Sequence, residues 1–214
     1  AQAVKRLYPS AKLAIGPAIE NGFYYDFDNL DIKQEDLEKI EAEMKKIVKE
    51  NLKIEGFKLS REAAIELMQS RNEPYKVELI NDLPEDEEIS FFKQGEFVDL
   101  CVGPHLLYTK GVKAFKLFSI TGAYWRGDEH NKMLHRIYGT EFETKEDLEK
   151  YVELIEERKK RDHRKIGKDL EIFMTHELVG SGLPLYLPNG ATVRRLLERY
   201  IVDKEVSLGY KHVY

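Results

Sequence analysis

The chain has a single cysteine, a single tryptophan and no apolar run that approaches the roughly 18 residues of a membrane span. Cys101 alone cannot close an internal disulfide, so the fold has to rest on its core, and a reducing compartment is expected. The opening Ala1-Gln2-Ala3-Val4-Lys5-Arg6 lacks both the apolar stretch of a secretory signal and the composition of a transit peptide. These absences describe a soluble, cytoplasmic protein. An excess of positive charge is also missing. Lys and Arg total 34 against 39 Asp and Glu, for a net charge of −5, so any nucleic-acid contact must be local. What is present, 42% hydrophobic and 11% aromatic residues in 214, supplies a sizeable core and excludes a disordered chain.

One local basic run exists, Arg158-Lys159-Lys160-Arg161-Asp162-His163-Arg164-Lys165. Arg158, Lys159, Arg161 and Lys165 are its candidate phosphate contacts, and the same run reads equally well as a solvated helix face. The acidic Glu85-Asp86-Glu87-Glu88 behind Pro84 reads as a wet loop.

Periodicity divides the chain. The first eight residues are helical and stop at Pro9, which has no amide donor to continue the ladder. Two extended runs, 13–19 and 23–27, meet at Glu20-Asn21-Gly22, a hairpin signal. Phe23, Tyr25 and Phe27 share one face of the second run. A helix over about 33–51 carries Leu37, Ile40, Met44, Ile47 and Val48 on one stripe. Ser60 caps a second helix that must end before Pro74. Strand-like runs at 89–92, 97–101, 114–120 and 133–138 predict a mainly antiparallel sheet covered by those two helices, an α+β fold. Thr144-Lys145-Glu146-Asp147 opens a charged helix that reads as an inter-domain connector. A last helix runs over about 191–206 and ends at Gly209.

Chemistry concentrates in Asp99-Leu100-Cys101-Val102-Gly103-Pro104-His105. A Cys and a His four apart have metal-ligand spacing, and Gly-Pro forces a turn between them. Two ligands are half of a zinc site, however, and on spacing alone a buried free thiol beside a surface imidazole is the simpler reading. Lys76, at the end of a helix-to-strand passage, and Tyr25, on the aromatic hairpin face, can each hydrogen-bond a substrate or simply fill space. Trp125 beside Arg126 can stack on a nucleobase or close a strand end.

Five blocks resemble, in order, the editing domain of bacterial threonyl-tRNA synthetases: Ala14-Ile15-Gly16-Pro17, Gly22-Phe23-Tyr24-Tyr25-Asp26, Asp99 to His105, Thr121 to Asp128, and Arg136-Ile137-Tyr138-Gly139-Thr140. Arg161 to Gly167 is similar to that family's junction into the class II catalytic domain, and 174–214 to the first segment of that domain. The resemblance implies an editing domain over 1–142, a linker helix over 143–165 and the start of the catalytic domain over 166–214. It implies hydrolysis of seryl-tRNA formed in error on tRNA(Thr), because one methyl group supplies only about 1 to 3 kcal/mol of discrimination and a second site is needed. It carries catalytic roles onto Tyr25, Lys76, Asp99, Cys101 and His105. In related alanyl-tRNA editing domains zinc occupies the Cys and His positions, which makes Cys101 and His105 an incomplete metal site. The family's His-x-x-x-His pair would fall upstream of Ala1, so the chain as given is expected to have little editing activity. ATP, Mg and a second zinc would belong to the parent's catalytic domain, outside this chain, and the parent would be a homodimer. The competing readings are a free-standing hydrolase of the alanyl-tRNA editing type and a non-catalytic tRNA-docking module.

Overall fold

Pro9 and Pro74 do opposite things, and the difference sets the frame of the fold. The computed structural model describes residues 1–85, 87–180, 182–211 and 213. Asp86 of the acidic run, Ser181 of the glycine-rich turn, His212 and Tyr214 lie outside the described residues. Helix α1 spans Gln2–Leu7 and stops ahead of Pro9. Strands β1 (Lys12–Leu13), β2 (Ala18–Ile19) and β3 (Gly22–Asp28) follow, with the turn at Glu20-Asn21 joining β2 to β3. Gly22 has φ +142°, and a Cβ there would collide with the Gly139 carbonyl, so the position needs glycine. Helix α2 (Leu37–Glu50) ends on Asn51 in the left-handed conformation, φ 53°.

Strand β4 (Ile54–Leu59) leads into α3 (Arg61–Ser70), where the Ser60 hydroxyl accepts from the Ala63 amide at 3.4 Å. Pro74 then starts α4 (Pro74–Asp82) from its first turn, where the missing N–H costs nothing. Lys76 therefore lies on a helix and not in a helix-to-strand passage. The remaining elements are β5 (Ile89–Gln94), β6 (Phe97–Leu100), β7 (Ala114–Tyr124), β8 (Met133–Phe142), α5 (Lys145–Lys160), α6 (His163–Asp169), β9 (Phe173–Met174), β10 (Leu185–Tyr186) and α7 (Pro188–Ser207).

The chain divides into two units, Ala1–Glu149 and Lys150–Tyr214. In the first, the strands form two antiparallel sheets where the sequence predicted one. Five strands lie in the order β1-β3-β8-β7 with β2 on β3, and three in the order β4-β5-β6. Each sheet has its own cover. Ile40 and Ile47 of α2 pack with Leu13, Phe27, Leu117 and Ile137 over the five-stranded sheet. Ala64 and Met68 of α3 and Ile80 of α4 pack with Ile89, Phe91 and Val98 over the three-stranded one. The architecture is α+β, as its alternating strand runs and amphipathic helices predict.

Two motif blocks turn out to be one piece of sheet. Asp26 pairs with Arg136 and Tyr24 with Tyr138 across β3 and β8. The Asp26 carboxylate, 2% exposed, accepts two hydrogen bonds from Arg136 at 2.7 and 2.8 Å, and the guanidinium lies 3.9 Å from the Tyr24 ring centre. A Cβ on Gly139 would fall 2.6 Å from Phe23, so this block is built for close packing.

In the second unit the expected continuous linker helix is broken. Helix α5 ends at Lys160, and Asp162 accepts from the Arg164 amide at 2.8 Å to cap a separate α6. Helix α7 begins at Pro188, three residues before the predicted start, again with proline in its first turn. Its apolar stripe, Leu196, Leu197, Tyr200 and Ile201, is exposed.

Candidate functional site

Three elements distant in sequence bring their polar groups to one cleft of about 200 Å³. Strand β3 contributes Tyr25, α4 contributes Lys76, and β6 with the turn after it contributes Asp99, Cys101 and His105. Local chemistry fixes each. Tyr25 stacks on Phe27 with centroids 4.8 Å apart, and Gly16 leaves the space its ring needs, since a Cβ there would overlap that ring. Lys76 is held by the anchoring of its helix: buried Glu73, just ahead of α4, accepts from the Leu13 amide and from Lys5, both at 2.7 Å.

At the centre, the Lys76 ammonium, 3% exposed, pairs with Asp99 at 2.7 Å. The Tyr25 hydroxyl donates to the other oxygen of the same carboxylate at 2.5 Å, and the Lys76 Nζ lies 5.4 Å from the Tyr25 ring centre. Burial and the neighbouring Asp99 charge push the Tyr25 phenol well above its ordinary range, so it stays protonated and donates. Partial burial lowers the His105 imidazole, only partly offset by Asp99, which favours the neutral ring. His105 lies against Phe92, ring centroids 3.8 Å apart and planes 28° apart. The Ser90 hydroxyl donates to the Cys101 carbonyl at 2.7 Å, and Cys101 is a half-buried free thiol.

All five predicted residues thus line one cleft. The sequence reading missed Phe92, although strict alternation along β5 puts Phe91 in the core and Phe92 on the opposite face. Zinc does not fit the described residues as they stand. Cys101 and His105 offer two ligand atoms, the Asp99 carboxylate is already engaged by Lys76 and Tyr25, and among the described residues no cluster of three His, Cys, Asp or Glu is placed to hold a metal.

Trp125 takes the second of its two readings. Its ring is 6% exposed, donates to Glu78 at 3.2 Å and meets Tyr75 edge-on, so it closes a strand end and has no free face for a base. In the basic run, whose Arg158, Lys159, Arg161 and Lys165 are all exposed, Lys159 pairs with Glu156 at 2.9 Å and Arg161 with Glu157 at 3.6 Å. No helix among the described residues is long and apolar enough to cross a membrane.

Residues 89–138, which include Asp99, Cys101 and His105, match the family described as threonyl and alanyl tRNA synthetase second additional domain. The threonine–tRNA ligase of Anoxybacillus flavithermus is 62% identical over 215 aligned positions, covering 100% of this chain and 33% of the relative. That of Acetivibrio thermocellus is also 62% identical, over 100% of this chain and 34% of the relative, and that of Staphylococcus aureus 58%, over 100% and 33%. The chain is therefore similar from end to end to threonine–tRNA ligases, and it spans about a third of the length of the curated relatives it matches.

Proposed function

We propose that the cleft hydrolyses the ester of mischarged seryl-tRNA(Thr), as the editing site of a threonine–tRNA ligase. The observation that carries this reading is the buried Lys76–Asp99–Tyr25 cluster beside Cys101 and His105, inside a cleft of about 200 Å³, enough for a small aminoacyl group and a water. Neutral His105 takes a proton from the water that attacks the ester carbonyl carbon. The carbonyl–oxygen bond to the terminal ribose breaks, serine leaves as its carboxylic acid, and the ribose hydroxyl receives the proton from the imidazolium. Lys76 faces the charge that develops on the carbonyl oxygen, Asp99 and Tyr25 fix the ammonium, and Cys101 lines the acyl pocket. No step here passes through a metal.

On this reading residues 1–142 are the editing domain, 143–165 the linker and 166–214 the start of a class II catalytic domain. The whole protein joins threonine to tRNA(Thr) with ATP and Mg in the cytoplasm, as a homodimer. The relatives align over residues 166–214 as well, which favours it over a free-standing alanyl-tRNA-type hydrolase. The exposed basic run, through Arg158 and Lys165 first, contacts tRNA phosphates.

The test is single-turnover deacylation of seryl-tRNA(Thr) and threonyl-tRNA(Thr) by the full-length protein. Seryl-tRNA is hydrolysed faster, and His105→Ala or Lys76→Met slows it by roughly 10² to 10⁴. Wild-type rates in both variants would overturn the assignment.

A further inference from the structure

Many lysines of this chain answer a nearby carboxylate: Lys39 with Asp36, Lys46 with Glu43, Lys53 with Glu55, Lys159 with Glu156. Others do not, and four of these lie around one concavity. Lys45 and Lys49 of α2, Lys113 ahead of β7 and Lys145 at the start of α5 are exposed and have no ion-pair partner among the described residues. All four line a single concavity of about 420 Å³, together with Phe115 and with Glu149 as the one carboxylate in its lining. Lys45 and Lys49 stand one helical turn apart, on the same side of α2. In a chain of net charge −5, this is a local excess of positive charge gathered from three separate segments. Like charges held within a Debye length oppose the folded state unless an anion lies among them.

We propose that this concavity docks the sugar–phosphate backbone of tRNA. The proposal rests on the reading above that tRNA is the substrate, and it adds a second contact surface distinct from both the cleft and the basic connector. Lysines, as flexible point charges, suit successive phosphates, whereas one terminal phosphate would call for an arginine fork or a nest of backbone amides. The connector has to free Lys159 and Arg161 from carboxylates before they can bind; the four lysines here are already available.

The experiment uses the full-length protein with Lys45, Lys49, Lys113 and Lys145 all changed to Gln, all four changed to Arg, and a control in which the paired Lys39 and Lys53 become Gln. Binding of a tRNA(Thr) transcript is followed by fluorescence anisotropy across a salt series, with heparin as a second polyanion, and melting temperatures confirm folding. The Gln variant is expected to weaken tRNA binding about tenfold or more and to lower the slope of log Kd against log salt by roughly 0.7 to 0.9 per lysine lost. The Arg variant and the control keep the wild-type values. In seryl-tRNA deacylation KM rises and kcat is unchanged, because no one of the four lysines lines the cleft. Unaltered affinity and slope in the folded Gln variant, or a loss confined to heparin, would overturn the proposal. A wild-type protein without deacylase activity whose Gln variant still loses tRNA would instead refute the editing function and leave the docking surface standing.

Discussion

Phe92 and His105 stack with their centroids 3.8 Å apart, so the imidazole rests on the outward face of a sheet strand. Phe92 covers one face of the imidazole, whose pKa is lowered by partial burial. In Phe92→Ala the ring is hydrated, its pKa rises toward the ordinary value near 6.5, and more acid remains bound at a given pH. The acid limb of kcat/KM for deacylation should therefore move to higher pH, with the largest fall below about pH 6.5 and little change at neutral pH and above. An unmoved acid limb would separate Phe92 from the chemistry.

Removing one partner of a buried ion pair costs about 3 to 5 kcal/mol, because the other charge is left stranded. Lys76→Met and Asp99→Asn are each expected to lose roughly that much in urea unfolding, and the double variant less than the two losses added. The coupling energy from this cycle should exceed about 1 kcal/mol. Additive losses would mean that the 2.7 Å contact contributes nothing to stability.

Gly16→Ala pushes a methyl into the Tyr25 ring. The ring must swing away and give up its hydrogen bond to Asp99, so we expect a loss of about 1 to 3 kcal/mol together with slower deacylation. Tyr25→Phe, which removes the hydroxyl but keeps the ring, should lose the hydrogen bond with a smaller stability cost. Wild-type behaviour in Gly16→Ala would show that the overlap relaxes freely.

Asp26→Asn tests the sheet without touching the cleft. The carboxylate takes two hydrogen bonds from Arg136 in a buried site, so stability should drop by about 3 kcal/mol while the kcat of the folded fraction stays at the wild-type value. A large fall in kcat at a temperature where the variant is folded would contradict this division.

Limited trypsin digestion should cut first after Lys160 or Arg161, where α5 ends, α6 has not begun and the side chains are exposed. Initial cleavage within the three-stranded sheet, for example after Lys58, would argue against the division of the chain near its fifth helix.

Much of this was readable in the sequence, for identifiable reasons. The turn ahead of β3, the stripe of α2, the Ser60 cap and the four long strand runs follow from local periodicity and turn chemistry. Strand β4 escaped notice because Gly56 interrupts the alternation of Ile54, Phe57 and Leu59, and without β4 the second sheet had no third strand. Helix α4 was hidden because Pro74 ends one helical pattern and starts another, and only capping geometry tells the two apart. The cleft illustrates the limit of local reading. Nothing in the spacing of positions 25, 76 and 99 says that they meet; their grouping came from the resemblance to a known family, and the contacts from the fold. Nor did composition mark the four lysines of the concavity, since their grouping depends on which segments the fold brings together.

Strand β3 has consequences for the order in which the protein is made. Its long partner is β8, and the bridge between Asp26 and Arg136 joins residues 110 apart. During synthesis the aromatic run Phe23-Tyr24-Tyr25 leaves the ribosome with only the two short strands β1 and β2 beside it, and it waits for more than a hundred further residues before its main ladder can close. Tyr25 sits on that waiting strand, so the cleft is among the last features of the first unit to be completed. A nascent chain halted before β8 holds Lys76 and Asp99 but lacks the sheet that sets the phenol against them.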